Sequence, residues 1–152
     1  MPATNSGPRM DEALYHAYLG TDFRIDTQLP QAVRIGKPAH EFAAWMRAQG
    51  YRRAMLITAW NPYSVPVPRP ENDRRQQALE AEVELLGIKC LPAHGADPGG
   101  KWEEASLCLF DVSPEQRDAW MRRYEQNAVV LVDAEGDVRL FWHPDLHSHD
   151  GA

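Results

Sequence analysis

Met55-Leu56-Ile57-Thr58-Ala59-Trp60 is nearly continuous in apolar side chains. A run this short with no polar alternation predicts a strand covered on both faces, hence a central one. Asn61-Pro62-Tyr63-Ser64-Val65-Pro66-Val67-Pro68-Arg69-Pro70 follows, and its four prolines forbid regular structure and favour a stiff extended loop. From Glu71 to Leu86, Asn72, Leu79, Val83 and Leu86 fall along one helical stripe, so Asn72 opens the helix on its core-facing side. Gly87 stops that helix, and a short strand runs from Ile88 to Leu91 before a loop from Pro92 to Gly100. A strand, a helix and a second strand in this order predict a crossover with both strands parallel and adjacent.

The flanks extend the pattern. Leu14, Ala17 and Tyr18 recur at helical spacing behind Asp11, a cap, and end near Gly20. Phe23 and Ile25 alternate with Asp22, Arg24 and Asp26, a half-buried strand; Leu29, Val33 and Ile35 suggest another. Phe42, Trp45 and Met46 share one face of a helix closed by Gly50. Trp102-Glu103-Glu104-Ala105 leads into an apolar strand, Ser106 to Phe110. Ser113-Pro114-Glu115-Gln116 is a strong helix start, with Trp120, Met121 and Tyr124 on the buried face. Val129 to Val132 and Val138 to Trp142 read as a hairpin around Gly136. The order α-β-β-α-β-α-β-β-α-β-β predicts an α+β fold, a two-layer α/β sandwich with a mixed sheet. Residues 1–10 read as a loose leader, 11–143 as one domain and 144–152 as a polar tail.

Composition excludes some roles. Hydrophobic residues make up 43% and charged residues 25%, as in ordinary globular domains. The net charge of -6 weighs against a polyanion-tracking surface, so nucleic acid is not an expected partner. No apolar run reaches membrane-spanning length and Met1 to Arg9 lack the apolar core of a signal peptide, so no membrane association is expected. Cys90 and Cys108 lie in apolar stretches without metal or redox spacing and read as buried, reduced thiols in a cytoplasmic protein.

The crossover has a consequence for polar residues. Parallel strands ending at Trp60 and Leu91 place their carboxyl ends on one sheet edge, with Asn61 and His94 there. The helix amino terminus brings Glu71 and Asn72 to the same edge. An antiparallel strand from Ser106 starts there, bringing Trp102, Glu103 and Glu104, and a second crossover adds Gln126 and Asn127. Together with Ser64 these nine (Asn61, Ser64, Glu71, Asn72, Trp102, Glu103, Glu104, Gln126 and Asn127) are the candidate ligand-binding residues. Taken singly, each is as readily a loop or helix cap.

Thr58-Ala59-Trp60-Asn61-Pro62-Tyr63-Ser64, Glu71-Asn72, Trp102-Glu103-Glu104-Ala105-Ser106 and Glu125-Gln126-Asn127-Ala128 resemble, in this order, the bacterial family known as domain of unknown function 3293. The resemblance runs from about Tyr15 to Leu140. It implies homology and brings no activity with it. The proline-laden loop from Val65 to Pro70 and the histidine-bearing tail depart from the family pattern.

Adjacent Glu103 and Glu104 point to opposite faces of a strand, so they form no carboxylate dyad: Glu104 shares a face with Ser106 and Cys108, Glu103 with Ala105 and Leu107. Glu104 or Glu103 near His94 or Glu71 is a candidate acid or base, or an anchor for backbone amides, and no catalytic residue is singled out. Glu71, Asp97 and Glu103 or Glu104 offer oxygen atoms without a cation-loop spacing, and His143, His147, His149 and Asp150 lie in a polar end segment, so no metal site is assigned. Ser64 and Ser106 lack a nucleophile-elbow context, and Gly95-Ala96-Asp97-Pro98-Gly99-Gly100 is no phosphate loop, so no cofactor is assigned. Two readings remain: a pocket for a small hydrogen-bonding ligand, or a non-catalytic module whose proline loop and exposed aromatics meet a protein partner.

Overall fold

A computed structural model describes residues 7–27, 31–99 and 101–147. Met1 to Ser6 of the leader, Leu29, Gly100, and His149 and Asp150 of the tail lie outside the described residues. Helix α1 (Glu12–Leu19) starts at Asp11, whose carboxylate accepts from the Leu14 N–H at 2.7 Å, and ends at Gly20. Strands β1 (Asp22–Ile25) and β2 (Gln31–Val33) precede α2 (His40–Gln49), which Gly50 closes in the left-handed conformation. Next come β3 (Arg53–Ile57), α3 (Arg69–Leu85), β4 (Cys90–Ala96) and β5 (Glu103–Phe110). Helix α4 (Pro114–Arg123) starts where Ser113 Oγ accepts from Gln116 N–H, and β6 (Ala128–Asp133) and β7 (Val138–Trp142) complete the order. The element order and the α+β class follow the sequence reading.

The sheet does not. Its seven strands run β2-β1-β4-β5-β3-β6-β7, and every neighbouring pair is antiparallel, so the sheet is not mixed. Strands β3 and β4 are parallel but not adjacent, because β5 enters between them; likewise β3 separates β5 from β6. The two crossovers are interlocked, a split βαβ arrangement of the ferredoxin-like kind. Sequence spacing specifies a crossover but not the gap it leaves. The polarity of each strand is unaffected, so the carboxyl ends of β3 and β4 and the amino ends of β5 and β6 still share one edge.

Strand β4 also runs through Pro92, which the sequence reading makes the start of a loop. Pro92 presents its carbonyl to Asp26 N–H, just beyond the last β1 pair, Ile25 with Ala93. Its missing N–H therefore falls just past the end of the β1–β4 ladder, where a proline interrupts little pairing.

Helices cover both faces rather than one, so the molecule is not a two-layer sandwich. Met55 and Ile57 of β3 face a core with Leu79 and Val83 of α3 and Trp120 and Met121 of α4. Ala54 and Leu56 face the other core, with Phe42 and Met46 of α2 and Tyr18 of α1. On this second face the sheet curls until its ends meet: Gly36 N–H, after β2, donates to Val138 O of β7 at 3.0 Å, and Ala39 N–H to Gly136 O at 2.8 Å. Gly136 has φ +95°, and a Cβ there would sit 3.1 Å from the Ala39 backbone, so both conformation and contact require glycine. Leu86, placed by periodicity in the core, is exposed because α3 ends at Leu85, and Cys90 is exposed while Cys108 is buried.

Candidate functional site

The shared edge is built around a strained turn. Strand β3 ends at Ile57, where Thr58 Oγ donates to Ala105 O at 2.6 Å and accepts from Trp60 N–H at 3.1 Å, folding the chain out of the sheet. Asn61, Tyr63 and Ser64 then take φ values of 51°, 50° and 66°, and the facing Glu125 takes 54°. For a side chain as bulky as Tyr63 that conformation is an outlier that surrounding contacts must hold in place.

Buried amides do the holding. Asn72 Oδ1 accepts from Asn61 N–H at 2.8 Å, while its Nδ2 donates to Asn61 Oδ1 at 2.9 Å and to Val67 O at 3.4 Å. One helical turn on, Gln76 Oε1 accepts from Ala59 N–H at 3.0 Å. Gln126 Nε2 donates to Trp60 O and Tyr124 O, both at 3.0 Å, and Asn127 Nδ2 donates to Ser64 Oγ at 3.1 Å. Arg75 spans the base of the turn, donating to Ala59 O and Tyr124 O and pairing with Glu125. Backbone groups that would otherwise be orphaned beside the core are thereby satisfied. His143, assigned from sequence to a solvated tail chemistry, is fully buried: its N–H donates to Asn127 O at 2.7 Å, its Nδ1 accepts from Asp145 N–H at 3.0 Å, and desolvation lowers its pKa.

Beside the turn, on the concave face, lies a cavity of about 220 Å³. Glu104, Ser106 and Gly95 of the sheet form one wall; Trp60, Asn61, Ser64 and Gln126 form the rim; Tyr18 and Thr21, on and just after α1, and Trp102 cover it. Its surface is otherwise aromatic and aliphatic, with Phe23, Leu56 and Val130 deepest in the apolar core. Glu104 is half-buried and its carboxyl group has no hydrogen-bond or ion-pair partner among the described residues. Burial alone pushes it from 4.5 up to about 7. The Tyr18 phenol is raised by burial and then by the nearby Glu104 charge, and it stands beside Ser64. Glu104 is thus an acid that holds its proton near neutrality.

Of the nine candidates, Asn61, Ser64, Trp102, Glu104 and Gln126 line this cavity. Asn72 and Asn127 stand behind it, committed to the turn, and Glu71 lies outside the lining. Glu103 points to the opposite face, 3.9 Å from His94 Nε2, as strand alternation requires. Sequence reasoning missed Tyr18 and Phe23, because helical and strand periodicity mark them as core-facing without showing that the core is open there, and it missed Thr21, which lies between the two elements. It also missed Gln76, although Gln76 stands four residues after Asn72 on the same stripe. No group of three or more metal-ligating side chains is assembled among the described residues. No helix among them is long and apolar enough to cross a membrane.

Residues 57–129 match the model of a family described as protein of unknown function (DUF3293). All four motifs of the resemblance fall inside that span, which is narrower than Tyr15 to Leu140. The turn, its amide supports and the Glu104 wall lie within it, whereas Tyr18, Thr21 and Phe23 lie before it. No curated protein and no solved structure matches the chain.

Proposed function

We propose that the cavity binds a small hydrogen-bonding molecule and that Glu104 is the group that engages it. One observation supports the reading above others: a carboxyl group stands in a mainly apolar and aromatic cavity without a partner among the described residues. A carboxylate that serves structure alone is paired, because leaving it unpaired away from water is costly. Asn72 and Asn127 behind the turn are committed to it and the Ser64 hydroxyl is shared between Asn127 and Tyr18, so Glu104, Asn61 Nδ2 and Gln126 Oε1, which have no partner among the described residues, remain for a ligand. At about 220 Å³ the cavity is smaller than those that take drug-sized molecules. The unpaired thiols Cys90 and Cys108 support a reducing compartment, the cytoplasm, as the place of action.

The test is a thermal-shift screen over nucleotides, sugars, amino acids and metal ions, run on the wild type and on Ser106→Leu. Ser106 lies on the Glu104 face of β5 and its side chain makes only a 3.4 Å contact to Glu104 O, so leucine fills the cavity without breaking a strong bond. The expected result is a compound class that raises the wild-type melting temperature and fails to raise that of the variant. A screen without shifts, or shifts that survive Ser106→Leu, overturns the reading.

A further inference from the structure

We propose that the ligand carries a positively charged, multiply protonated nitrogen group of the amidinium or guanidinium kind on a flat apolar body, with the charged group docked on Glu104; this rests on the pocket reading above. The first argument is charge. Among the described residues lining the cavity Glu104 is the only acid, and there is no lysine, arginine or histidine. An anionic ligand would face a carboxyl group with no cation to offset it in surroundings that screen poorly. The arginines around the rim are already engaged: Arg9 with Asp11, Arg69 with Asp73 and the Trp60 ring, and Arg75 with Glu125 and two backbone carbonyls.

The second argument is the balance of donors and acceptors. Glu104 offers two unpaired oxygens and Gln126 offers Oε1, while both N–H groups of Gln126 are spent. Two unspent donors stand beside these acceptors, the Asn61 Nδ2 group and the buried Trp60 Nε1–H. The two Glu104 oxygens call for donors on the ligand, and a planar amidinium matches both at once. The third argument is shape. Tyr18, Phe23, Trp60 and Trp102 wall the cavity, and aromatic faces favour a flat body and a delocalised cation.

The proton is accounted for. In the free protein Glu104 holds a proton up to about pH 7. Docking an already charged ligand ionises Glu104 and releases that proton to solvent, so affinity rises with pH through this range.

The experiment compares benzamidinium, neutral benzamide and benzoate by calorimetry, on the wild type, Glu104→Gln and Ser106→Leu. Benzamidinium is expected to bind the wild type, more tightly at about pH 8 than at about pH 6, with proton release at the lower pH seen as a buffer-dependent heat. Benzoate is expected to give no heat. Glu104→Gln, checked for folding by near-ultraviolet circular dichroism, is expected to bind benzamidinium roughly tenfold more weakly or worse. Benzamide or benzoate binding as well as benzamidinium, or no binding of benzamidinium, overturns the charge class. In that case a Ser106-dependent shift by any other compound leaves the pocket standing. Benzamidinium binding that is indifferent to Ser106→Leu overturns the pocket itself.

Discussion

On the concave face β5 presents Phe110, Cys108, Ser106 and Glu104 in succession, and the two ends of that row are built in opposite ways. Around Phe110, Tyr51 stacks at 4.2 Å between ring centroids and Trp45 lies at 5.8 Å, with Phe42 behind at 6.5 Å. Around Glu104 there are also aromatic rings, from Tyr18, Trp60 and Trp102, yet they stand apart and enclose a cavity. One end spends its aromatic surface on packing; the other leaves it available. The largest expected effect follows from the filled end. Phe110→Ala should cost about 3 to 5 kcal/mol, the range for removing a buried aromatic ring, measured by urea unfolding. Ser106→Leu at the open end should leave stability within about 1 kcal/mol. Comparable losses from the two substitutions would break the contrast.

The second effect sharpens it through pH. Glu104 has a folded value of about 7 against an ordinary 4.5, so between these limits the folded state keeps a proton that the unfolded chain has lost. Stability from this group is therefore full below about pH 4.5 and falls as pH rises through the window, by at most about 3 kcal/mol. Glu104→Gln removes the titration. Its unfolding free energy should gain on the wild type across that window, as read by denaturant melts at several pH values. Parallel curves for the two proteins would mean that Glu104 is solvated or paired in solution, and the open end would lose its distinguishing group.

The difference between the ends also shows what sequence can and cannot carry. The caps at Asp11 and Ser113, the Gly50 and Gly136 positions and the two-faced burial of β3 are local, and local chemistry wrote them legibly. Strand order is not local: the crossover through α3 is equally compatible with adjacent strands or with β5 between them, and only packing decides. The shared edge was legible all the same, because it depends on strand direction and not on neighbourhood. Within the site, strand alternation separated Glu104 from Glu103 correctly. The covering of the cavity by Tyr18 was not legible, since a residue over a void and a residue over a packed core have the same periodicity. His143 was missed for a related reason: polarity marked it as tail, while its burial follows from Asn127 O accepting its backbone N–H.

The smallest effect tests the line between the ligand-facing groups and their supports. Asn72 is 3% exposed and its side chain makes three hydrogen bonds, all to Asn61 and Val67. Asn72→Ala orphans Asn61 N–H and Asn61 Oδ1 loses a donor, so a cost of about 1 to 3 kcal/mol is expected. The neighbouring Asp73, paired with Arg69 at the surface, is the control: Asp73→Ala should change stability by no more than about 0.5 kcal/mol. Because Asn72 does not line the cavity, benzamidinium should still raise the melting temperature of Asn72→Ala, from its lower starting point. The wild-type shift should then be lost on Glu104→Gln and kept on Asn72→Ala. An Asn72→Ala protein of unchanged stability that no longer responds to the ligand would reverse these roles. It would move Asn72 into the binding surface and make the amide cluster, not the Glu104 wall, the part of the rim that recognises the ligand.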